Sequence, residues 1–138
     1  MNGVARASPL TGTRARRTVA TVLRGERAPD ATASVAFLSS QQMRALNRRT
    51  FGRDHATDVI AFGLTHGHQL VADIYVCPAV ARREARTRRV PVVEELERLL
   101  VHGTLHAAGW DHPEGDERER SSMWRRQEQY VLRLRGGT

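Results

Sequence analysis

The 138-residue chain has no lysine; all 22 of its basic residues are arginine. It has one cysteine, Cys77, which excludes an internal disulfide and suits a reducing compartment. Nothing in it approaches the run of about 20 apolar residues that spans a bilayer. Its basic N-terminus is not followed by an apolar stretch of signal-peptide length. The expectation is a soluble, cytoplasmic protein with no membrane partner. Internal repeats and low-complexity linkers are lacking too, so residues 1–138 read as one domain with enough chain for a real core.

What is present is charge, unevenly spread. Against 22 arginines stand 15 acidic residues, a formal net charge of +7. Residues 1–90 carry 15 arginines and 6 acids, a balance of +9, whereas residues 91–138 carry 7 and 9, a balance of −2. Arginine pairs with phosphate as a bidentate fork and stacks on unpaired bases. A polyanionic partner such as RNA therefore fits the first part of the chain, and a solvated arginine coat is the competing reading.

Residues 1–13 lack a period and read as a loose start. Residues 14–27 follow as a helix, with Val19, Val22 and Leu23 as its apolar stripe. Ala33–Leu38 reads as a short strand with Val35 and Phe37 on one face. Ser39 or Ser40 caps a helix whose buried side is Met43 and Leu46, and which fades near Arg49. Thr50–Ala56 is a polar loop. Thr57–Phe62 and Leu70–Cys77 are strands, antiparallel across a hairpin in which Gly63 and Gly67 are the turn residues. Pro78 opens a helix with five arginines and a thin apolar side of Val80, Ala81 and Ala85. Pro91 begins the next helix. There Glu94 and Glu95 favour the helix dipole, and Leu96, Leu99, Leu100 and Gly103 face the core. Glu114–Leu134 forms a last helix packed over it, with Met123, Trp124, Tyr130, Val131 and Leu134 as apolar points. The fold expected is α+β: a small mixed sheet of three or four strands with about five helices.

The chemistry-bearing stretch is His102-Gly-Thr-Leu-His106-Ala-Ala-Gly109-Trp-Asp111-His112. His102 and His106 are four apart, which puts both rings on one helix face, one turn apart. Gly109 suits a left-handed helix end, after which the chain can double back and bring His112 to the same point. Three imidazoles with a fourth position left open describe a catalytic zinc site, one ion per chain. The spacing is also that of the metzincin proteases, H-E-x-x-H-x-x-G-x-x-H, but their general base is Gly103 here, and glycine takes no proton. Asp111 adjoins a ligand as a weak catalytic candidate, orienting a histidine or accepting a proton; a turn role fits it equally. His55, His66 and His68 fall in predicted loops; for the His66-Gly-His68 pair, solvated turn sequence outweighs metal binding.

This histidine stretch resembles the HGxLHLxGYDH signature of the YbeY family of bacterial rRNA maturation factors. Leu46-Asn47-Arg48-Arg49, Thr57-Asp58-Val59-Ile60-Ala61-Phe62 and Ala72-Asp73-Ile74-Tyr75-Val76-Cys77 are similar to that family's LNRxYR, T(D/N)VLSF and GDIxIC segments, in the same order. The resemblance covers about residues 35–135. It implies a zinc-dependent endoribonuclease that prefers single strands, matures the 3′ end of small-subunit rRNA and serves ribosome quality control, with RNA and the small ribosomal subunit as partners. It also implies an opening strand, which this chain shortens or loses. The family's YRG segment carries an arginine that matters for activity. Here that segment is Thr50-Phe51-Gly52, so the arginine position holds Phe51. Arg49 and Arg53 are the nearby candidates for RNA binding, and Arg53 is also a weak catalytic one. Ala56 for proline and Ala72 for glycine are smaller departures. Two other functions stay open: a zinc peptidase, favoured by ligand spacing and opposed by Gly103, and a non-enzymatic, zinc-containing ribosome-associated factor, favoured by Phe51.

Overall fold

The computed structural model describes residues 10–111 and 121–136. Helix α1 (Gly12–Gly25) leads to strand β1 (Thr32–Phe37), helix α2 (Ser40–Phe51), strands β2 (Val59–His66) and β3 (Gln69–Val76), and helices α3 (Pro78–Arg88), α4 (Val92–Ala107) and α5 (Ser122–Arg135). The three strands form one mixed sheet in the order β1-β3-β2. β1 runs parallel to β3, and β2 antiparallel to it. Among the described residues the α+β class, the five helices and the antiparallel hairpin match the expectation from sequence, with three strands.

Helix α4 is the centre of the molecule. Its apolar side chains lie on more than one face, and Leu96, Leu99, Leu100, Val101 and Leu105 are almost fully buried. Each such leucine contributes roughly 1.5–3 kcal/mol by leaving water. On one side α4 meets the sheet. Val35 and Phe37 of β1 stand level with Ile74 and Val76 of β3, and all four join Leu96, Leu99 and Leu100 in one cluster with Ala15, Val19 and Leu23 of α1. On another side Val101 and Leu105 pack with Met123, Tyr130, Val131 and Leu134 of α5. A third cluster, built on Met43, Ile60, Cys77 and Val80, joins α2 and α3 to β2.

Several boundaries differ from the sequence reading, for identifiable reasons. Of the expected loose start, residues 1–9 lie outside the described residues; in the described part Leu10 is buried, and the Thr11 side chain accepts a hydrogen bond from the Arg14 amide, so α1 begins at Gly12. Ser39 is the cap of α2, through a reciprocal capping box with Gln42, and the helix runs on to Phe51 before Gly52 closes it in a left-handed conformation. Gly63 is a strand residue rather than a turn residue. A Cβ there would lie 2.1 Å from the Ala107 carbonyl oxygen, so glycine is what lets β2 pass under the end of α4. The hairpin connection is correspondingly shorter, with β2 reaching His66 and β3 starting at Gln69. Among the described residues no helix is long and apolar enough to cross a membrane.

Candidate functional site

Five polar residues of α4 fall on one stripe; Glu97, paired with Arg14 of α1, and Thr104 lie off it. The first half of the stripe is Glu94, Glu95 and Arg98, and its second is His102 and His106. Glu94 and Glu95 do more than face the helix dipole. They are buried, and Arg98 donates to Glu94 Oε2 and to Glu95 Oε1, each at 2.9 Å. Arg98 also grips both carboxylate oxygens of Glu128 on α5, at 2.9 and 3.0 Å. Burial pushes the Glu128 carboxyl up. Hydrogen bonds from Arg98 and Gln127 and the charges of Arg98 and Arg88 outweigh that and hold it below its ordinary value.

One turn on, the stripe opens. The His102 and His106 rings stand edge to face with centroids 4.7 Å apart. His102 is buried, and its Nδ1 lies 2.7 Å from Gln127 Oε1. His106 is partly exposed, with Nδ1 3.8 Å from Asp111 Oδ1. That separation is too long for a hydrogen bond, and the Asp111 side chain is 98% exposed, so it acts on His106 by charge alone. Beyond Ala107 the helix closes on itself, with the Gly109 amide donating to the His106 carbonyl and the Trp110 amide to that of Leu105. Gly109 has φ 107°, the positive value that a reversal after His106 needs. His112, the third expected ligand, lies outside the described residues. Among the described residues no group of three or more His, Cys, Asp or Glu side chains is placed to hold a metal. Two imidazoles on one helix face, one of them hydrogen-bonded through Nδ1, are nevertheless donor chemistry that zinc accepts.

Both histidines line a cleft of about 530 Å³. The other walls are Asn47 and Phe51 from α2, Arg53, His55, Thr57 and Asp58 from the loop that follows, and Val59, Ile60 and Ala61 from β2. Asp111 also lines the cleft. The structure thus brings Arg53, Asp111, His102 and His106 around one space and puts Phe51, 55% exposed, at the arginine position noted above. Arg49 does not line the cleft; it sits exposed in the last turn of α2. His66 and His68 lie at the hairpin, also outside the cleft lining. The arginine-rich helix α3 is less open than its composition suggests. Arg88 packs its guanidinium over the Trp124 ring at 4.9 Å and approaches Glu95 at 3.4 Å.

The loop carrying Arg53 is pinned. Buried Asn47 donates from Nδ2 to the His55 carbonyl at 3.0 Å, and Arg44 holds Asp54 with two hydrogen bonds of 2.8 and 2.9 Å. Gly103 faces the sheet as well as the cleft. A Cβ there would meet Ile74 Cγ2 at 2.9 Å and Val59 Cγ2 at 3.1 Å, so the position that holds the protease base in metzincins has no room for a side chain. Behind the cleft, burial together with the Asp58 and Glu95 carboxylates pushes Glu84 up to about 9. Glu95 Oε2 is buried without a hydrogen-bond partner among the described residues. A protonated Glu84 supplies one donor, to be shared between Asp58 and Glu95. Asn47, Asp58, Glu84 and Gln127 were not singled out from sequence as parts of this site; only the Asn47 and Asp58 segments stood out there, through the resemblance.

The chain is similar to known proteins. The sequence model described as Endoribonuclease YbeY matches residues 8–135. The endoribonuclease YbeY of Acidovorax sp. (strain JS42) is 38% identical over 102 residues, which cover 74% of this chain and 67% of that protein. The same-named protein of Paracidovorax citrulli is 41% identical over 83 residues, covering 60% and 55%. The solution structure of a Thermotoga maritima protein superposes with a TM-score of 0.67 at 29% identity, over 98% of this chain and 87% of that one.

Proposed function

The chain belongs to the endoribonuclease YbeY family, and from that premise we propose that it is a zinc-dependent endoribonuclease cutting single-stranded rRNA, at the 3′ end of the small-subunit rRNA. The observation that carries the reading is the convergence of His102, His106, Arg53 and Asp111 on one cleft. His102, His106 and His112 would hold one zinc ion per chain. Bound there, the metal supplies Lewis-acid chemistry: acidification of a water toward neutral pH and polarisation of a phosphoryl oxygen.

The chain's own residues do the rest. Arg53, on a loop pinned by Asn47 and Arg44, offers a guanidinium to a backbone phosphate at the cleft wall. Asp111, open to water, takes up a proton and passes it to solvent. Phe51 presents an aromatic face on which an unpaired base stacks, which a base held in a duplex cannot do. Gly103 keeps α4 against the sheet and supplies no base, which speaks against a peptidase.

The test is incubation of zinc-loaded and chelator-stripped protein with one labelled RNA, single-stranded or annealed to its complement. Zinc-dependent cleavage of the single strand alone is expected. A zinc-loaded protein that leaves both intact favours the second reading, a ribosome-associated factor without nuclease activity. Phe51 in place of the family arginine is the observation on that side.

A further inference from the structure

Gln127 is 1% exposed on α5 and faces His102 across the helix pair. A buried glutamine is costly unless both ends of its amide are satisfied. Here both are: Oε1 lies 2.7 Å from His102 Nδ1, and Nε2 donates to Glu128 Oε2 at 3.0 Å. The direction of this amide is forced. Glu128 is gripped through both oxygens by the Arg98 guanidinium, so its carboxylate is ionised and only accepts. Gln127 must therefore turn its NH2 toward Glu128 and its carbonyl toward His102. A carbonyl only accepts, so the proton of the neutral His102 ring must sit on Nδ1, leaving the lone pair on Nε2.

We infer that Gln127 is a positioning residue, which transmits the polarity of the Arg98–Glu128 pair to His102 and fixes the ring as the Nδ1–H tautomer that offers Nε2 to a metal. The inference rests on the reading of His102 as a ligand, and it assigns a task to the ion cluster at the other end of α4. A ligating imidazole whose second nitrogen is held by a hydrogen bond binds metal more tightly, and loss of such a partner typically weakens affinity about 10–100-fold.

The experiment has two readouts, neither of them enzymatic activity. Ring 15N chemical shifts of His102 in the metal-free protein report the tautomer. Competition with a chromophoric chelator reports zinc affinity. Wild type should show the Nδ1–H form. Gln127→Leu should lose that preference and bind zinc about 10–100-fold more weakly. Gln127→Glu still presents an acceptor to Nδ1, so it should keep the tautomer and bind within a few-fold of wild type. A residue that merely fills space would make both variants equally poor, since both lose the bond to Glu128. Should Gln127→Leu fail to fold, Glu128→Gln is the milder probe. It removes the acceptor-only constraint, lets the Gln127 amide turn over, and should give a mixture of His102 tautomers. A single Nδ1–H form in Glu128→Gln would overturn the relay from Arg98. An Nε2–H ring in wild type that still binds zinc would overturn the inference and leave the ligand assignment standing. Equal zinc binding by wild type and His102→Ala would remove both.

Discussion

The two halves of α4 carry the same polar stripe and put it to opposite uses. In the first half buried Arg98 binds buried Glu94 and Glu95 and the partly exposed Glu128. In the second half His102 and His106 open into a cleft whose wall carries Arg53. Spacing does not separate the halves, since both follow the i, i+4 rule. What separates them is the neighbour. At Arg98 an acidic residue of α5 lies within reach, whereas beside His106 stand the cleft and the chain reversal at Gly109. A helical stripe of ionisable residues becomes a site where the fold opens it into a cleft instead of packing it into a buried ion cluster.

If the first half chiefly stabilises the fold and the second holds the site, their variants must fail in different ways. The largest effect is expected for Arg98→Met. It strands buried carboxylates and should cost about 3–5 kcal/mol in urea unfolding. Metal-free His106→Ala should stay within about 1 kcal/mol of wild type. Equal losses would erase the distinction.

Next in size is Glu84→Gln. The folded carboxyl keeps its proton up to about pH 9, while the unfolded chain releases it near the ordinary value of 4.5. The stability it contributes is thus fully present below pH 4.5 and is lost as pH rises toward 9. Water reaching this half-buried group screens part of the penalty. The glutamine variant should gain about 1–2 kcal/mol at pH 8 and nothing at pH 4, measured by thermal unfolding across pH. A gain that does not change with pH would show that Glu84 is ionised in the fold.

Third is Phe51→Arg. It places a guanidinium at the cleft wall where phosphate charge develops, and single-turnover cleavage should rise about tenfold, roughly 1.4 kcal/mol. Zinc content should stay the same. No gain, together with a silent Arg53→Ala, would mean that no arginine of this loop serves the reaction. The smallest effect is expected for Arg53→Ala on binding. RNA affinity should fall for every sequence alike, and the salt slope should flatten by about one phosphate contact.

Much of this contrast was legible in the sequence. The His102–His106 spacing and Gly109 placed two imidazoles on one face before a reversal, and the apolar residues of α4 marked a core helix. Arg98 gave no sign of its partner on α5, because Glu128 is 30 residues away and only packing brings it near. Gln127 had no signal, since its role is fixed by what faces it. Gly63 was misread as a turn residue because its close approach to Ala107 is a tertiary fact. Arg49 and Arg53 were both candidates for RNA binding; Gly52 turns the chain and leaves Arg53 alone of the two on the cleft wall.

The most direct test of the division of α4 is zinc content per chain in wild type and in His106→Ala, by elemental analysis of folded protein. The account predicts one zinc per wild-type chain, and a variant with the same far-UV spectrum that has lost most of its metal. Full zinc retention by folded His106→Ala would contradict it, because the metal would then lie away from the histidine half of the helix.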